Sequence, residues 1–105
     1  MSPSFGRWYP LHEAAAHAPA EPGVLQIRLA TGLRDYPRGK SAMLHYEAAA
    51  DLRAAAIALA LAHPGVDWLC RHTAGSVADP GALAADLLRL FTTRFGTPPT
   101  PPSLP

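Results

Sequence analysis

An alanine-rich segment at residues 52–62 constrains the fold more than any other part of the chain. It consists of Ala, Leu, Ile and a single Arg, and Ala and Leu are the strongest helix formers. Asp51 is a good N-cap, and the sequence His63-Pro64-Gly65 ends the helix. Because no polar residue follows Arg53 within this segment, the helix must be covered on more than one side.

A hairpin of two strands is predicted before this helix. Residues 24–29 alternate between two faces, one apolar and one increasingly polar, which is the pattern of a half-buried strand. Residues 30–39 contain glycine, proline and charged side chains and are predicted to form the hairpin loop. Residues 41–46 are predicted to return as a second, antiparallel strand.

A third strand and a second helix follow. Residues 66–72 alternate in part and predict the strand. Asp79-Pro80 is a typical helix start, with aspartate as the cap and proline at the first helical position. Gly96 fits a C-terminal cap. The residues expected to form the buried stripe of this helix are Leu83, Leu87, Leu90 and Phe91.

The order β-β-α-β-α predicts an α+β fold, with a small three-stranded antiparallel-type sheet flanked by helices. Residues 1–21 form an N-terminal lead with a short helix, and residues 22–96 form the domain. Residues 97–105 hold five prolines and form an extended tail.

Composition excludes several classes of protein. The chain has 105 residues and a net charge of +1, which argues against a highly basic DNA-wrapping protein. The single cysteine, Cys70, excludes an intramolecular disulfide. The longest apolar run, residues 54–62, is too short to cross a bilayer, and no signal peptide is recognised at the start. We therefore expect a cytoplasmic protein without a membrane partner.

Two short motifs resemble the GIY-YIG nuclease superfamily, whose element order is also β-β-α-β-α. Residues 22–28, Pro-Gly-Val-Leu-Gln-Ile-Arg, are similar to the motif that opens the family's first strand. Residues 43–53, Met-Leu-His-Tyr-Glu-Ala-Ala-Ala-Asp-Leu-Arg, are similar in spacing to the second motif and the helix start that follows it. The resemblance spans roughly residues 22–99.

The resemblance implies nucleic-acid cleavage, in which a tyrosine is the general base, an arginine steadies the phosphate and a glutamate binds one divalent metal. This chain departs from that pattern. The family's first tyrosine falls at Leu25, the second at His45, the glycine at Glu47 and the helical arginine at Ala55. The resemblance therefore implies a degenerate member of the family without normal nuclease activity.

Four residues are candidates for any remaining catalysis. His45 and Tyr46 are the possible bases, and Arg53 is the arginine closest to the family's position. Asp86 is the candidate metal ligand, although it also has the spacing for an i,i+3 pair with Arg89. No cofactor is expected, apart from Mg²⁺ or Mn²⁺ if the domain is active.

The first hairpin is the candidate nucleic-acid surface. It carries four positive charges, and an aromatic ring among them has the character of a base-stacking group. The residues are Arg28, Arg34, Tyr36, Arg38 and Lys40. A solvated loop is the competing interpretation, because the net charge is only +1.

Three functions stay open from the sequence. The first is a module that binds nucleic acid or a protein partner without cutting. The second is an atypical metal-dependent endonuclease. The third is a homodimeric scaffold that associates through the apolar helix at residues 54–62 or a neighbouring strand edge. Cys70 and His72 share a strand face, but no third or fourth metal ligand is evident, and Cys70 is expected to be an ordinary core residue.

Overall fold

The computed structural model describes residues 4–100, so that residues 1–3 of the predicted lead and 101–105 of the predicted tail lie outside the described residues. The chain folds into an α+β domain. In chain order its elements are β1 (Tyr9–Pro10), a 3₁₀ turn (Leu11–Glu13), α1 (Ala14–His17), β2 (Gly23–Leu29), β3 (Arg34–Tyr36), β4 (Gly39–Ser41), β5 (Met43–Ala49), α2 (Leu52–Ala62), β6 (Trp68–His72) and α3 (Pro80–Phe95).

The main sheet has four antiparallel strands in the order β1-β6-β2-β5. The prediction of three strands was wrong, because the N-terminal lead contributes a short strand of its own. Tyr9 pairs with Cys70 and Pro10 pairs with Leu69. The buried Tyr9 and Leu11 anchor this segment to the domain, so that the lead completes one edge of the sheet.

A second, two-stranded sheet formed by β3 and β4 begins in the predicted hairpin loop and extends to Ser41. Its register pairs Arg34 with Ser41 and Tyr36 with Gly39. Residues 39–41 are used in this small sheet, so the long return strand β5 begins at Met43 and runs further than predicted, to Ala49. A β-bulge interrupts the pairing of β5 with β2 near the start of β5.

The predicted helix caps are confirmed. The Asp51 carboxylate accepts a hydrogen bond of 3.0 Å from the backbone N–H of Ala54, and α2 begins at Leu52, directly after the cap. The Asp79 carboxylate accepts an equivalent bond of 3.0 Å from Ala82. Gly96 has φ of +89°, the left-handed conformation that ends α3 at little cost for a glycine. No helix within residues 4–100 is long and apolar enough to cross a membrane.

The main core lies between the sheet and α2. Helix α2 packs on the sheet, and α1 with the 3₁₀ turn packs on a second side of it, as expected for a helix without a polar face. Part of α2 nevertheless faces outward, and Leu61 is 77% exposed. The buried residues of this core are Tyr9, Leu11, Ala14, Ala18, Leu25, Ile27, Leu44, Leu52, Ala56, Trp68 and Cys70.

Helix α3 packs against the opposite face of the sheet, mainly over β5 and β2. Phe91 is its central contact, with ring centroids 5.0 Å from Tyr36 and 6.2 Å from Tyr46. Ala84 is the other buried residue of the helix. The predicted stripe was therefore wrong at Leu90, which is 62% exposed because it lies a quarter-turn away from Phe91.

Candidate functional site

His45 lies on β5, on the face of the sheet that α2 covers. The register pairs His45 with Ile27 and Glu47 with Leu25, and directly paired residues share a face. Nε2 of His45 lies 2.9 Å from a carboxylate oxygen of Glu47, and the two side chains are 30% and 35% exposed. Leu25 is fully buried in the core. The place where the resemblance puts a tyrosine is therefore a packing position, and the histidine beside it is engaged with Glu47.

Tyr46 points to the other face, because successive strand residues alternate between faces. Its ring contacts Phe91 of α3. Burial raises the pKa of Tyr46, so its hydroxyl is held in the protonated form. The two candidate bases, His45 and Tyr46, therefore lie on opposite sides of the sheet and do not share a site.

Arg53 serves as a tie between α2 and the segment that precedes β2. Its Nε donates a hydrogen bond of 2.8 Å to the carbonyl oxygen of Ala18, and its backbone N–H donates one of 3.1 Å to Pro19. Ala55, at the position of the family's arginine, packs against the main core. These contacts give Arg53 a structural role at the start of α2.

Asp86 lies on the exposed side of α3, on the face of the sheet opposite to His45. Its carboxylate is 3.0 Å from a guanidinium nitrogen of Arg89, so the i,i+3 pair expected from the spacing is confirmed. The catalytic and metal candidates His45, Tyr46, Arg53 and Asp86 are consequently not brought together. Within residues 4–100, no group of three or more His, Cys, Asp or Glu side chains is arranged to hold a metal ion.

Tyr36, the predicted base-stacking residue, is only 9% exposed. Its hydroxyl donates a hydrogen bond of 2.6 Å to the carbonyl oxygen of Met43, and its ring packs edge-on against Phe91. The hydroxyl also accepts a bond of 3.3 Å from the backbone N–H of Thr100, within the predicted tail. A ring held in this way joins the small sheet to α3 and does not present a face to a nucleobase.

The charges of the small sheet are partly engaged. Arg38 donates from its guanidinium to the carbonyl oxygen of Thr93 at 3.1 Å, which fastens the hairpin to α3. Lys40 lies 3.6 Å from a carboxylate oxygen of Asp35, and both side chains are highly exposed. The Arg34 guanidinium lies 5.9 Å from the ring centroid of Tyr36. Each of these three cations thus has a contact within the small sheet or with α3.

Arg28 packs against Trp8, as does a second arginine, Arg71, on the neighbouring strand β6. The two guanidinium carbons lie 4.5 Å and 4.4 Å from the ring centroid of Trp8, and that of Arg71 also lies 4.9 Å from Phe5. We call these residues, together with Gln26, the arginine cluster. It lies on the α3 face of the sheet, on the inner strands β2 and β6 and the residues that precede β1, and Gln26 pairs directly with Tyr46 of β5.

Strand register builds the arginine cluster. Gln26 of β2 pairs directly with Arg71 of β6, and Arg28 lies two residues further along β2 on the same face. Nε of Arg71 donates a hydrogen bond of 2.6 Å to the side-chain oxygen of Gln26, which is only 3% exposed. Tyr9 pairs with Cys70, which brings the preceding Trp8 alongside Arg71. The buried amide therefore fixes the orientation of one guanidinium, and Trp8 supports both.

The positive charge of the arginine cluster is uncompensated. No carboxylate among residues 4–100 forms an ion pair with Arg28 or Arg71. Burial lowers the pKa of Arg71, and the nearby Arg28 guanidinium lowers it further, yet an arginine stays protonated in proteins. Nε of Arg28 is buried and has no hydrogen-bond partner. Two like charges held against one aromatic ring favour an anion, and guanidinium forks match the oxygens of a phosphate.

Sequence reasoning found Arg28 but missed Arg71 and Trp8. The alternation within residues 66–72 places Arg71 on the face opposite to Cys70, which is a usable signal for an outward-facing cation. The alternation does not reveal which residues flank it. That depends on β6 lying between β1 and β2.

A second polar group, of Tyr9, His17, Cys70 and His72, lies on the α2 face. The Tyr9 hydroxyl is 3.0 Å from Nδ1 of His72 and accepts a bond of 3.6 Å from the Cys70 thiol, while its ring stacks on His17 at 4.8 Å. Burial raises the pKa of Tyr9, raises that of Cys70 to about 11 and lowers that of His72. All three shifts favour the neutral forms, so Cys70 is a packing residue and lacks the thiolate that a nucleophile requires.

Comparisons with protein-family models, with curated proteins and with solved structures found no match for this chain. The function of the chain must therefore be inferred from its own side chains. Of the groups described above, the arginine cluster combines a buried positioning contact with charge that nothing in residues 4–100 neutralises.

Proposed function

We propose that the chain is a catalytically degenerate GIY-YIG-like domain that binds nucleic acid through the arginine cluster and does not cut it. The succession of β2, β5, α2, β6 and α3 supports the family assignment, because it has the order β-β-α-β-α. The shared sheet face of Leu25 and His45 supports it as well, because the family places these two positions together.

The observation that carries the binding role is the pair Arg28 and Arg71 against Trp8 without a carboxylate partner in residues 4–100. A phosphodiester backbone supplies anionic oxygens to such a pair and releases counterions when it binds. The ring of Trp8 holds the guanidinium groups by cation–π contact. Nε of Arg71 donates to Gln26, and the terminal N–H groups of the two arginines are the donors for the oxygens of a ligand. A nucleic-acid backbone is therefore the polyanion we assign to this surface.

The scattered catalytic candidates support binding without cleavage. Phosphodiester hydrolysis requires a base, a cation at the developing oxyanion and commonly a metal, all within a few ångströms of one phosphate. Here His45 is paired with Glu47, Arg53 bonds to Ala18 and Asp86 pairs with Arg89 on the far side of the sheet. No one phosphate can contact all three.

The binding role is tested by fluorescence anisotropy with labelled single-stranded and duplex oligonucleotides over a series of salt concentrations. We expect binding that weakens steeply as salt rises, and an affinity about tenfold lower for Arg71→Gln, since a charge-assisted hydrogen bond is lost. Arg71→Lys keeps the charge but loses the guanidinium fork and the stacking on Trp8. Its affinity should therefore lie between that of the unaltered protein and that of Arg71→Gln. Circular dichroism and a thermal melt establish that each variant is folded.

Arg89→Gln is the matched control. It removes the same charge from an exposed position outside the arginine cluster. We expect it to bind within about twofold of the unaltered protein, because a distant surface charge is screened by salt. Equal losses of affinity for Arg71→Gln and Arg89→Gln would mean that only the net charge matters, and would contradict the proposed site. Absence of binding to every oligonucleotide at low salt would reject the nucleic-acid role in favour of a protein partner.

The endonuclease alternative is tested separately with a supercoiled plasmid and Mg²⁺ or Mn²⁺. We expect no nicking above the background of a mock purification. Cleavage that requires the metal and disappears in His45→Ala would instead identify an atypical active enzyme. Such cleavage would contradict the proposal that the domain does not cut nucleic acid. The proposed binding site would still be tested by the anisotropy measurements.

A further inference from the structure

Strand β5 is a long open edge of the main sheet. The strand order β1-β6-β2-β5 gives β5 one neighbour, and no strand in residues 4–100 pairs with its outer side. Seven residues, Met43–Ala49, belong to this strand, whereas the opposite edge strand β1 has two. An edge of this length presents unpaired N–H and C=O groups that can template a further strand.

Two of the common devices that block edge pairing, proline and lysine, are absent from β5. Residues 43–49 contain no proline and no lysine, and their bulge lies near Leu44, at the start of the strand. The remaining segment from His45 to Ala49 pairs regularly with β2. It carries two ionisable side chains on one face, His45 and Glu47, with Tyr46 between them on the other face.

The spacing of these two side chains makes the edge complementary to itself. When two copies of β5 pair antiparallel about a two-fold axis normal to the sheet, an axis through residue i places i−1 opposite i+1 of the partner. An axis at His45 opposes histidine to histidine, and an axis at Glu47 opposes carboxylate to carboxylate. An axis at Tyr46 places His45 opposite the partner's Glu47 on both sides of the axis. Opposite charges directly across a strand pair stabilise it, and like charges destabilise it.

We propose that β5 is a homodimerisation edge, in which two copies of the chain pair antiparallel with Tyr46 on the two-fold axis. The pairing joins the two four-stranded sheets into one continuous sheet. Each His45 then lies between its own Glu47, at 2.9 Å, and the partner's Glu47. This interaction is isologous, as a two-fold interface requires. It uses the edge of the sheet farthest from β1, whereas Arg28 and Arg71 lie on the two inner strands β2 and β6.

Sedimentation equilibrium over a range of protein concentrations tests the proposal. We expect a reversible monomer–dimer equilibrium for the unaltered chain. His45→Glu places two carboxylates opposite each other, and Glu47→Lys places a lysine opposite a histidine. Each single variant should weaken dimerisation about tenfold, because two cross-strand contacts are lost per dimer.

The double variant His45→Glu with Glu47→Lys distinguishes this register from a general charge effect. It exchanges the two positions and restores opposite charges across the axis, so the dimer should return. Asp86→Lys makes the same change in net charge as Glu47→Lys at an exposed site on α3 and should leave dimerisation unchanged. Circular dichroism at low concentration establishes that each monomer is folded.

Hydrogen exchange supplies a second measurement on the unaltered protein. Amides of residues 45–49 that face away from β2 should gain protection as the protein concentration rises, because they acquire backbone partners. A chain that stays monomeric at all concentrations would overturn the proposal. So would a dimer that the single variants leave intact, or one that the double variant fails to restore, because either result places the contact elsewhere.

Discussion

The two faces of the main sheet differ in what covers them. On one face, α2 and α1 bury an apolar layer that includes Leu25, Ile27 and Leu44, each at most 1% exposed. On the other face, α3 packs on β5 and β2, while Arg28 and Arg71 occupy the part of the sheet near β1. Both faces belong to the same strands, so alternation along each strand separates a structural surface from a candidate binding surface.

The difference shows how a small domain can hold charge near its core. Gln26 is nearly as buried as its apolar neighbours Leu25 and Ile27, yet it faces α3 and bonds to Arg71. Its buried amide is satisfied by that hydrogen bond, so the desolvation cost of a polar side chain is offset. The apolar face stabilises the fold by burying hydrophobic side chains. The polar face retains the pair Gln26–Arg71, which such burial does not require.

The largest expected effect comes from opening a cavity in the apolar face. Leu25→Ala should lower the free energy of unfolding by about 2–5 kcal/mol, since a fully buried leucine loses both its transfer energy and its packing partners. Leu61→Ala, at a position 77% exposed on α2, should change it by less than about 0.5 kcal/mol. Urea denaturation measures both. Similar losses for the two variants would contradict the assignment of the main core to the α2 face.

An intermediate effect is expected from the polar group on the α2 face. Burial lowers the pKa of His72, so the unfolded chain takes up a proton at a higher pH than the folded chain does. The contribution of His72 to the free energy of unfolding is therefore fully present above about pH 6.5. It is lost as the pH falls from there through the pKa of His72 in the folded protein. Urea denaturation over a pH series should show this loss, and His72→Gln should flatten it.

The comparison to make for His72 is the difference between the two pH profiles, because other groups titrate equally in both proteins. The difference in the free energy of unfolding between the two proteins should shrink as the pH falls from about 7.5 to about 5, because the unfolded chain takes up a proton on one histidine. A difference that is constant over this range, or that grows on acidification, would mean that His72 is not held neutral beside Tyr9.

The smallest effect is expected at the exposed ion pair of α3. Asp86→Ala should change the free energy of unfolding by less than about 0.5 kcal/mol, because both partners are largely solvated. Asp79→Ala on the same helix removes an N-cap and should cost about 1 kcal/mol. Thermal melts compare them. A larger loss at Asp86 without metal would contradict the solvated pair, and a loss that appears only with Mg²⁺ present would identify Asp86 as a metal ligand.

Local structure was largely predictable from the sequence. The bounds of α2 and the N-caps Asp51 and Asp79 follow from contacts within one turn of chain, and Gly96 follows from the conformation its position requires. The pair Asp86–Arg89 was predictable for the same reason, because side chains three residues apart are neighbours on a helix. Such signals depend on a few adjacent residues and are preserved whatever the rest of the fold does.

Long-range arrangement was less predictable. The fourth strand depends on Tyr9 pairing with Cys70, some sixty residues later, and Tyr36 changes from a candidate stacking residue to a buried one because α3 returns across the small sheet. Neither contact has a local signature. The sequence likewise does not show that the guanidinium of Arg53 donates a hydrogen bond to the carbonyl oxygen of Ala18.

By itself, the sequence determined the helices, their ends, the α+β class and the alternation that assigns each strand residue to a face. Tertiary structure decided which faces and edges meet. It separated His45 from Tyr46, Arg53 and Asp86, brought Arg71 and Trp8 to Arg28, and left β5 at the edge of the sheet. The physical reason is that helix signals arise between residues a few positions apart, whereas strand order and register depend on packing between segments far apart in the chain.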